Sequence, residues 1–381
     1  LQQLFEGENI LSSRVNAKLN VALTFNVKPA GIHGSSEPFT EILSPNPNSS
    51  SISNTENKIQ PDKSIDTYAE WDTWDTINAV KSALECFNPV TLIEADQSAY
   101  TKLIELKPDI VFNIAEGFNG ISREAQIPSM LDMLGIPYTG SDPLTLATCL
   151  DKARTKEILS YYKIPNSKFV VSNGLNNAGK LNLKFPLIIK PLSEGSSKGI
   201  FSSSFVRNNV ELKNEVERIS VEYNQPALIE EFLPGREFTI AILGNGDEAE
   251  VLPVVEINYE EFPDNFIPIY SYEAKWILDT KENPLDVFTC PANINKELEN
   301  KIKSAALKTY EVLRCKDWSR IDIRLDEKGE PNIIEVNPLP GILPNPDENS
   351  CFPKAARAAG LNYNDMINKV LFAAAKRHNL L

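Results

Sequence analysis

The sequence predicts a mixed fold: an α/β domain with a largely parallel sheet, then an α+β portion rich in antiparallel hairpins. Three observations carry this. Between residues 19 and 140, apolar strand-like runs alternate with loops and helical patterns. In the second half, short strand-like runs follow one another across turns, and a long helical pattern precedes the last pair. The 381 residues suffice for two or three domains with sizeable cores.

LNVALTFNV (19–27) reads as a buried first strand, ending at Lys28-Pro29-Ala30-Gly31. Residues 41–66 are rich in Ser, Asn and Pro and read as a mobile loop or insertion. TWDTINAVKSALECF then reads as a helix and DIVFNI (109–114) as a second strand. In REAQIPSMLDMLGIP, Ile127, Met130, Leu131 and Leu134 recur at helical spacing. Gly135 and Pro137 then supply a stop and a breaker. DKARTKEILSYYKIP (151–165) is a further helix. KFPLIIKPL and FSSSFV read as strands around a glycine-rich turn, followed by strands in PALIEEFL, REFTIAIL, VLPVVEI, SRIDIRL and PNIIEVN. The helix NKELENKIKSAALKTYEVL carries the stripe Leu298, Ile302, Ala306, Tyr310, Leu313.

Composition narrows the function. Hydrophobic residues make up 42% of the chain, which excludes a disordered chain. A net charge of −14 argues against a nucleic-acid partner. No apolar run approaches the ~18 residues of a membrane span. The start of the chain lacks a basic-then-apolar signal pattern, and the five cysteines include no CxxC pair; a cytoplasmic location is expected. With only two histidines, His33 and His378, the chemistry falls to carboxylates, Arg and Lys.

Three stretches have the composition of a site. In SRIDIRL, Arg320, Asp322 and Arg324 share one strand face; in IIEVNPLPG, Glu335 and Asn337 share another. A hairpin with the loop Glu327–Glu330 sets Asp322 opposite Glu335 and Arg320 opposite Asn337. Such a patch is either a solvated polar face with ion pairs or a seat for a hard divalent cation such as Mg²⁺. KFPLIIKPLSEGSSKGI (184–200) ends a strand at Lys190 and continues into a Gly/Ser loop. That loop is either an ordinary turn or a phosphate cover, and it is not a P-loop. PALIEEFLPGREFT (226–239) offers Glu230, Glu231 and Glu237 beside apolar residues, as a connector with surface acids or as a nucleotide site.

Taken in order, these stretches resemble the D-alanine–D-alanine ligase family of the ATP-grasp superfamily. "GIPYTGSDPLTLATCLDKARTK", "FPLIIKPLSEGSSKGI", "LIEEFLPGREFTIAILG", "YSYEAKW", "CPANI" and "SRIDIRLDEKGEPNIIEVNPLPG" carry the resemblance, from about residue 105 onward. It implies three domains, set here at 1–150, 151–230 and 231–381, with ATP gripped between two antiparallel sheets. Lys152, Lys190 and Ser197 match groups at the ATP phosphates; Glu230, Glu231, Leu233 and Glu237 match the adenine and ribose positions. Asp322, Glu335 and Asn337 match ligands of two Mg²⁺ ions, which Mn²⁺ can replace. Arg320 and the N–H of Gly341 match the holders of a tetrahedral intermediate, Ser196 a catalytic serine, and Lys275 a lysine reaching the γ-phosphate.

The implied reaction joins small amino-acid substrates through an acyl phosphate, and the implied assembly is a homodimer. D-alanyl-D-alanine for peptidoglycan precursors is the leading expectation. A ligase of other amino acids or small carboxylates is the alternative, and a non-catalytic ATP-binding protein a distant one. The sequence departs from the family around the amino-acid pockets. "NVKPAGIHGSSEPF" replaces a Gly-Gly turn and an anchoring glutamate, for which Glu70 or Asp72 is the substitute. Glu116-Gly117 replaces a His-Gly pair, Trp276 replaces a tyrosine, and about four extra residues precede Ser350, which resembles the serine holding the second substrate's carboxylate. Tyr272 is grouped with these substrate residues.

Overall fold

The computed structural model describes residues 18–29, 66–174, 182–260, 262, 267–278 and 285–381, without the side chains of Trp276 and Ile277. The proposed insertion at 41–66 lies outside the described residues except for Asp66, and so does the substitution proposed at Trp276.

The first part of the chain builds the parallel sheet expected. Strands β1 (Val21–Phe25), β2 (Val90–Glu94) and β3 (Ile110–Asn113) form a sheet in the order β2-β1-β3, both pairings parallel. Helices α1 (Trp74–Glu85), α2 (Ala99–Leu106) and α3 (Gln126–Leu134) belong to the same unit. β1 is buried along its whole length, as expected of a mostly apolar strand covered on both faces, and its one polar residue, Thr24, donates to Asn113 Oδ1 at 2.7 Å. α3 stops at Gly135 (φ +64), the left-handed residue that the sequence placed there.

Two short helices lead out of this domain. Asp142 caps α4 (Pro143–Leu150), accepting from Thr145 N at 3.0 Å, with Pro at the first turn. Asp151 ends α4 and caps α5 (Lys152–Tyr161), accepting from Ala153 N and Arg154 N at 3.0 Å each. This break fixes Lys152 at the first position of α5. The helix is shorter than the 151–165 read from the sequence.

A four-stranded sheet follows, in the order β4-β7-β5-β6, from β4 (Phe169–Ser172), β5 (Leu187–Pro191), β6 (Phe205–Val206) and β7 (Ala227–Glu231), all antiparallel. α6 (Asn209–Glu222) covers it through Leu212, Val216 and Ile219. The strand expected over FSSSFV is mostly absent: Ser202–Ser204 form a 3₁₀ turn and only Phe205 and Val206 pair. Ser204 Oγ accepts from Phe201 N at 3.1 Å, the local hydroxyl–backbone bond that competes with sheet pairing.

The larger antiparallel sheet runs β11-β10-β8-β12-β13, with β9 on β8. Its strands are β8 (Glu237–Leu243), β9 (Glu250–Val251), β10 (Val255–Ile257), β11 (Phe288–Thr289), β12 (Trp318–Leu325) and β13 (Pro331–Asn337). VLPVVEI is split between β9 and β10, because Pro253 cannot donate to a ladder. α7 (Lys296–Val312) buries Ile302, Ala306 and Tyr310 of its expected stripe against this sheet. The last helices, α8 (Cys351–Ala358) and α9 (Tyr363–Arg377), share one hydrophobic cluster with β1 and α1.

Fully buried Asp317 ties the segment before α4 to the last helix: it accepts from Gly140 N at 2.8 Å and from Arg377 Nη2 at 2.7 Å. Among the described residues no helix is long and apolar enough to cross a membrane.

Candidate active site

The hairpin of β12 and β13 builds one wall of the site. Arg320 pairs with Asn337 and Asp322 with Glu335, the register read from the sequence. The route to that register differs. The turn spans 326–330, closed by Asp326 N to Glu330 O at 3.0 Å, and a β-bulge lies between Asp322 and Ile323. Ile333 and Val336 both enter the core beside Ile321 and Ile323. Three positions apart, they can share a face only if one residue is extra. The bulge supplies it, and Glu335 and Asn337 are thereby turned to the opposite face.

On that face the charges are matched. Arg320 donates from Nε to Asp322 Oδ1 (3.1 Å) and from Nη2 to Oδ2 (3.0 Å). Asn337 Nδ2 donates to Asp322 Oδ2 at 3.3 Å, and Lys152 Nζ lies 3.0 Å from Glu335 Oε1. Lys152 also donates to the carbonyl of Glu194. Burial works against the charge on Glu335, but Lys152, Lys190 and Arg320 hold its carboxyl below the ordinary value. Lys275 faces the same space; burial, then Arg320, lowers its ammonium to about 8.

Pro338–Gly341 continues the wall. Gly341 has no neighbour within 4 Å of where a Cβ would stand and does not sit at positive φ. Neither packing nor backbone geometry requires glycine there, and the space a side chain would occupy is open. Ser350 Oγ accepts from Leu343 N and donates to Gly341 O, both at 3.2 Å, which ties the start of α8 to this loop.

Strands β5 and β7 hold a second charge cluster. Glu230, 1% exposed, takes Lys156 Nζ at 2.6 Å on one oxygen and Lys190 Nζ at 2.9 Å on the other. Ser167 Oγ adds a bond at 3.0 Å. Against the cost of burial, the two lysines lower Glu230 to about 2. Glu237 accepts from Arg324 Nη1 (2.7 Å) and Tyr259 Oη (2.8 Å). Glu231 accepts from Lys184 N at 3.0 Å, and Leu233 is half-buried just beyond. Lys156 was not singled out from the sequence. Its signal was available: Lys152, Lys156 and Leu159 recur on one face of α5, an apolar-type spacing that carries two lysines.

The glycine-rich turn lies between these clusters. Ser196 (φ 50) and Ser197 (φ 60) are both left-handed, and Gly199 (φ +75) could not carry a Cβ, which would meet Pro191 Cγ at 2.3 Å. Ser197 Oγ donates to Tyr270 O at 2.8 Å, and Tyr272 N donates to Ile200 O at 2.7 Å, joining the turn to the "YEAK" segment. Further tethers come from the N-terminal segment. Gly195 N donates to Glu70 and Gly199 N to Asp66, each at 2.7 Å. Glu70 also takes Arg123 Nε at 3.1 Å. Glu70 is thus committed to Arg123 and the turn, a tie that the sequence reading of it as a substrate anchor did not foresee.

These elements enclose a cavity of about 760 Å³, its open mouth included. Arg320, Glu335, Asn337, Gly341, Ser196, Lys275 and Lys152 line it, as do Glu70 and Glu116. The lining does not include Lys190, Ser197, Glu230, Glu231, Leu233, Glu237, Asp322, Tyr272 or Ser350, which stand behind or beside it. Glu124 and Glu194 line the cavity and were missed: Glu124 follows Arg123 at the start of a helical pattern, which reads as a solvated face, and Glu194 sits in a polar Gly/Ser loop, where an acid reads as exposed.

The donor set of the hairpin fits Mg²⁺. It offers hard oxygen ligands from Asp322, Glu335 and Asn337 on adjacent strands, and the Asn337 amide already reaches the Asp322 carboxylate.

Known proteins resemble this chain in sequence and in fold. Residues 158–372 match the family model described as D-ala D-ala ligase C-terminus. An uncharacterized protein of Sinorhizobium fredii is 33% identical over 318 residues, covering 81% of this chain and 90% of that protein. The D-alanine–D-alanine ligase of Pelotomaculum thermopropionicum is 32% identical over 308 residues, covering 78% and 90%. That of Cupriavidus necator is 33% identical over 268 residues, covering 70% and 76%. The fold is similar to a D-alanine–D-alanine ligase of Bacillus anthracis solved with ATP: the TM-score is 0.65 at 22% identity, covering 95% of this chain and 99% of that one. The chain therefore belongs to the D-alanine–D-alanine ligase family, ATP-dependent ligases with the ATP-grasp fold.

Proposed function

We propose that this protein joins two amino acids by a peptide bond at the expense of ATP, with D-alanine accepted in at least one position. The observation that carries this reading is the convergence of Arg320, Lys275, Ser196, Glu335, Asn337 and the open Gly341 on one cavity.

In the proposed reaction, the carboxylate of the first amino acid attacks the γ-phosphorus of ATP and ADP leaves, giving an acyl phosphate. The amine of the second attacks the acyl carbon, phosphate leaves, and the amine loses a proton. Lys152 and Lys190 bind phosphate oxygens, and the Ser196–Ser197 turn covers them. Glu231, Leu233 and Glu237 receive the adenine and ribose. Arg320 and the N–H of Gly341 face the oxygen that gains charge at the acyl carbon. Lys275 approaches the transferring group as the 270–276 segment closes. Asp322, Glu335 and Asn337 would hold Mg²⁺, which supplies neutralisation of the phosphoryl charge. The protein provides position and charge, and no side chain becomes covalently bonded, in keeping with the scarcity of histidine.

Formation of D-alanyl-D-alanine for peptidoglycan precursors is the narrower reading, favoured by the names of the relatives. A homodimer in the cytoplasm accompanies it as a proposal, and sedimentation tests the assembly. The function itself is tested by phosphate release with a panel of D- and L-amino acids, with mass spectrometry of the product. Amino-acid-dependent release together with a dipeptide supports the ligase. ATP turnover that ignores every amino acid sinks it.

A further inference from the structure

A second part of the cavity lining is strongly acidic. It includes Glu70, Asp72, Glu116, Glu124 and Glu194, while the cations that line the cavity are Lys152, Lys275 and Arg320. Two of those acids are satisfied. Arg123 binds Glu70 and Glu194, and Lys198 stands 3.0 Å from Glu194. Among the described residues Glu116 and Glu124 make no hydrogen bond or ion pair with their side chains, although Arg123 acts on both and Lys152 on Glu124 at longer range, and Lys28 acts on Asp72. Glu124 is 9% exposed, so an unpartnered carboxylate is more than nine-tenths buried and faces the cavity.

Resting on the ligase reading, we propose that this acidic part of the cavity binds the side-chain cation of a basic amino-acid substrate, one ending in an ammonium or guanidinium. The argument is a charge count. Asp72 faces Lys28, which leaves Glu116 and Glu124, and the α-ammonium of a neutral amino acid offsets one of these two. A second cation, with its several N–H donors, answers the remainder. Burial, then repulsion by Glu124 and Glu70, raises Glu116 well above its ordinary value, and burial raises Glu124 to about 8 despite Arg123. Both acids are therefore costly to ionise until a cation arrives.

The test compares each basic amino acid with its neutral isostere: lysine against norleucine and ornithine against norvaline, in both stereochemistries. The expected result is a kcat/KM at least about tenfold higher for the basic member of a pair. Glu124→Gln and Glu116→Gln should each lower that ratio by about tenfold. Calorimetry of the same ligands, with and without a non-hydrolysable ATP analogue, reads the site without turnover, and it stands on the unmutated protein if a variant fails to fold. Lysine binding tighter than norleucine, with no amino-acid-dependent phosphate release, upholds the acidic subsite and rejects the ligase reading. Phosphate release with neutral amino acids, and no basic preference in rate or binding, overturns the proposal and leaves the ligase intact.

Discussion

The two parts of the cavity lining solve opposite problems. At the hairpin end each of the principal charges has a partner: Arg320 with Asp322, Lys152 with Glu335. In the acidic lining from the N-terminal part of the chain, Glu116 and Glu124 have no hydrogen bond or ion pair among the described residues, and only the longer-range fields of Arg123 and, for Glu124, Lys152 oppose their burial. A matched set can stay charged while buried, because each ion lowers the cost of the other. It is ready for chemistry that moves negative charge. An unmatched set stores unfavourable free energy that a cation releases on binding. The comparison separates reaction from recognition: the chemistry belongs to the matched end and specificity to the other.

The largest effect should come from breaking the matched end. Glu335→Gln leaves the fold in place and lowers kcat at least about a thousandfold at saturating Mg²⁺. Wild-type turnover in that variant would remove Glu335 from the metal set. Lys190→Ala comes next, raising the KM for ATP about tenfold and lowering kcat, while Lys156 still holds Glu230. Unchanged ATP affinity by calorimetry would make Lys190 a structural partner of Glu230 only.

Gly341→Ala sharpens the contrast between space and scaffold. Nothing lies within 4 Å of the added methyl and φ is not positive, so the melting temperature should hold while kcat/KM falls about tenfold. A lowered melting temperature with full activity would show that the glycine is needed for folding.

The unmatched end predicts a pH dependence. Burial raises Asp72 from 3.8 to about 7 and Glu124 from 4.5 to about 8, so the folded protein holds protons that the unfolded chain has released. Their contribution to stability therefore falls as pH rises from about 4 to about 8. Glu230 does not counter this, since its depressed value of about 2 acts only in more acidic solution. Glu124→Gln should flatten the decline in melting temperature across that window. An unchanged slope would show that Glu124 does not contribute to it.

The smallest expected effect is on substrate preference. Trp276→Tyr should move product distribution back toward D-alanyl-D-alanine, by no more than about tenfold, the scale of one altered apolar contact. Identical products from both proteins would make Trp276 a neutral substitution.

Much of the matched end was legible in the sequence. Arg320, Asp322, Glu335 and Asn337 announce themselves by alternation, a signal with a fixed period. Even there, the Ile333-Ile334 doublet hid a bulge, since two apolar neighbours look alike whichever faces the core. The register came out right because a turn set one residue earlier and the bulge offset each other. The unmatched end was nearly illegible. Glu124 follows Arg123 in what reads as the polar face of a helix, and only tertiary packing buries it. Glu70 was noticed for its charge, but its partners Arg123 and Gly195 are 53 and 125 residues away, beyond any local pattern.

The central claim is that a substrate carboxylate takes the phosphoryl group from ATP, and isotope transfer tests it most directly. The first amino acid is supplied with both carboxylate oxygens as oxygen-18, and released phosphate is analysed by mass spectrometry after a single turnover. The account predicts phosphate carrying one labelled oxygen and a dipeptide whose new carbonyl retains the other. Unlabelled phosphate formed together with the dipeptide would contradict it.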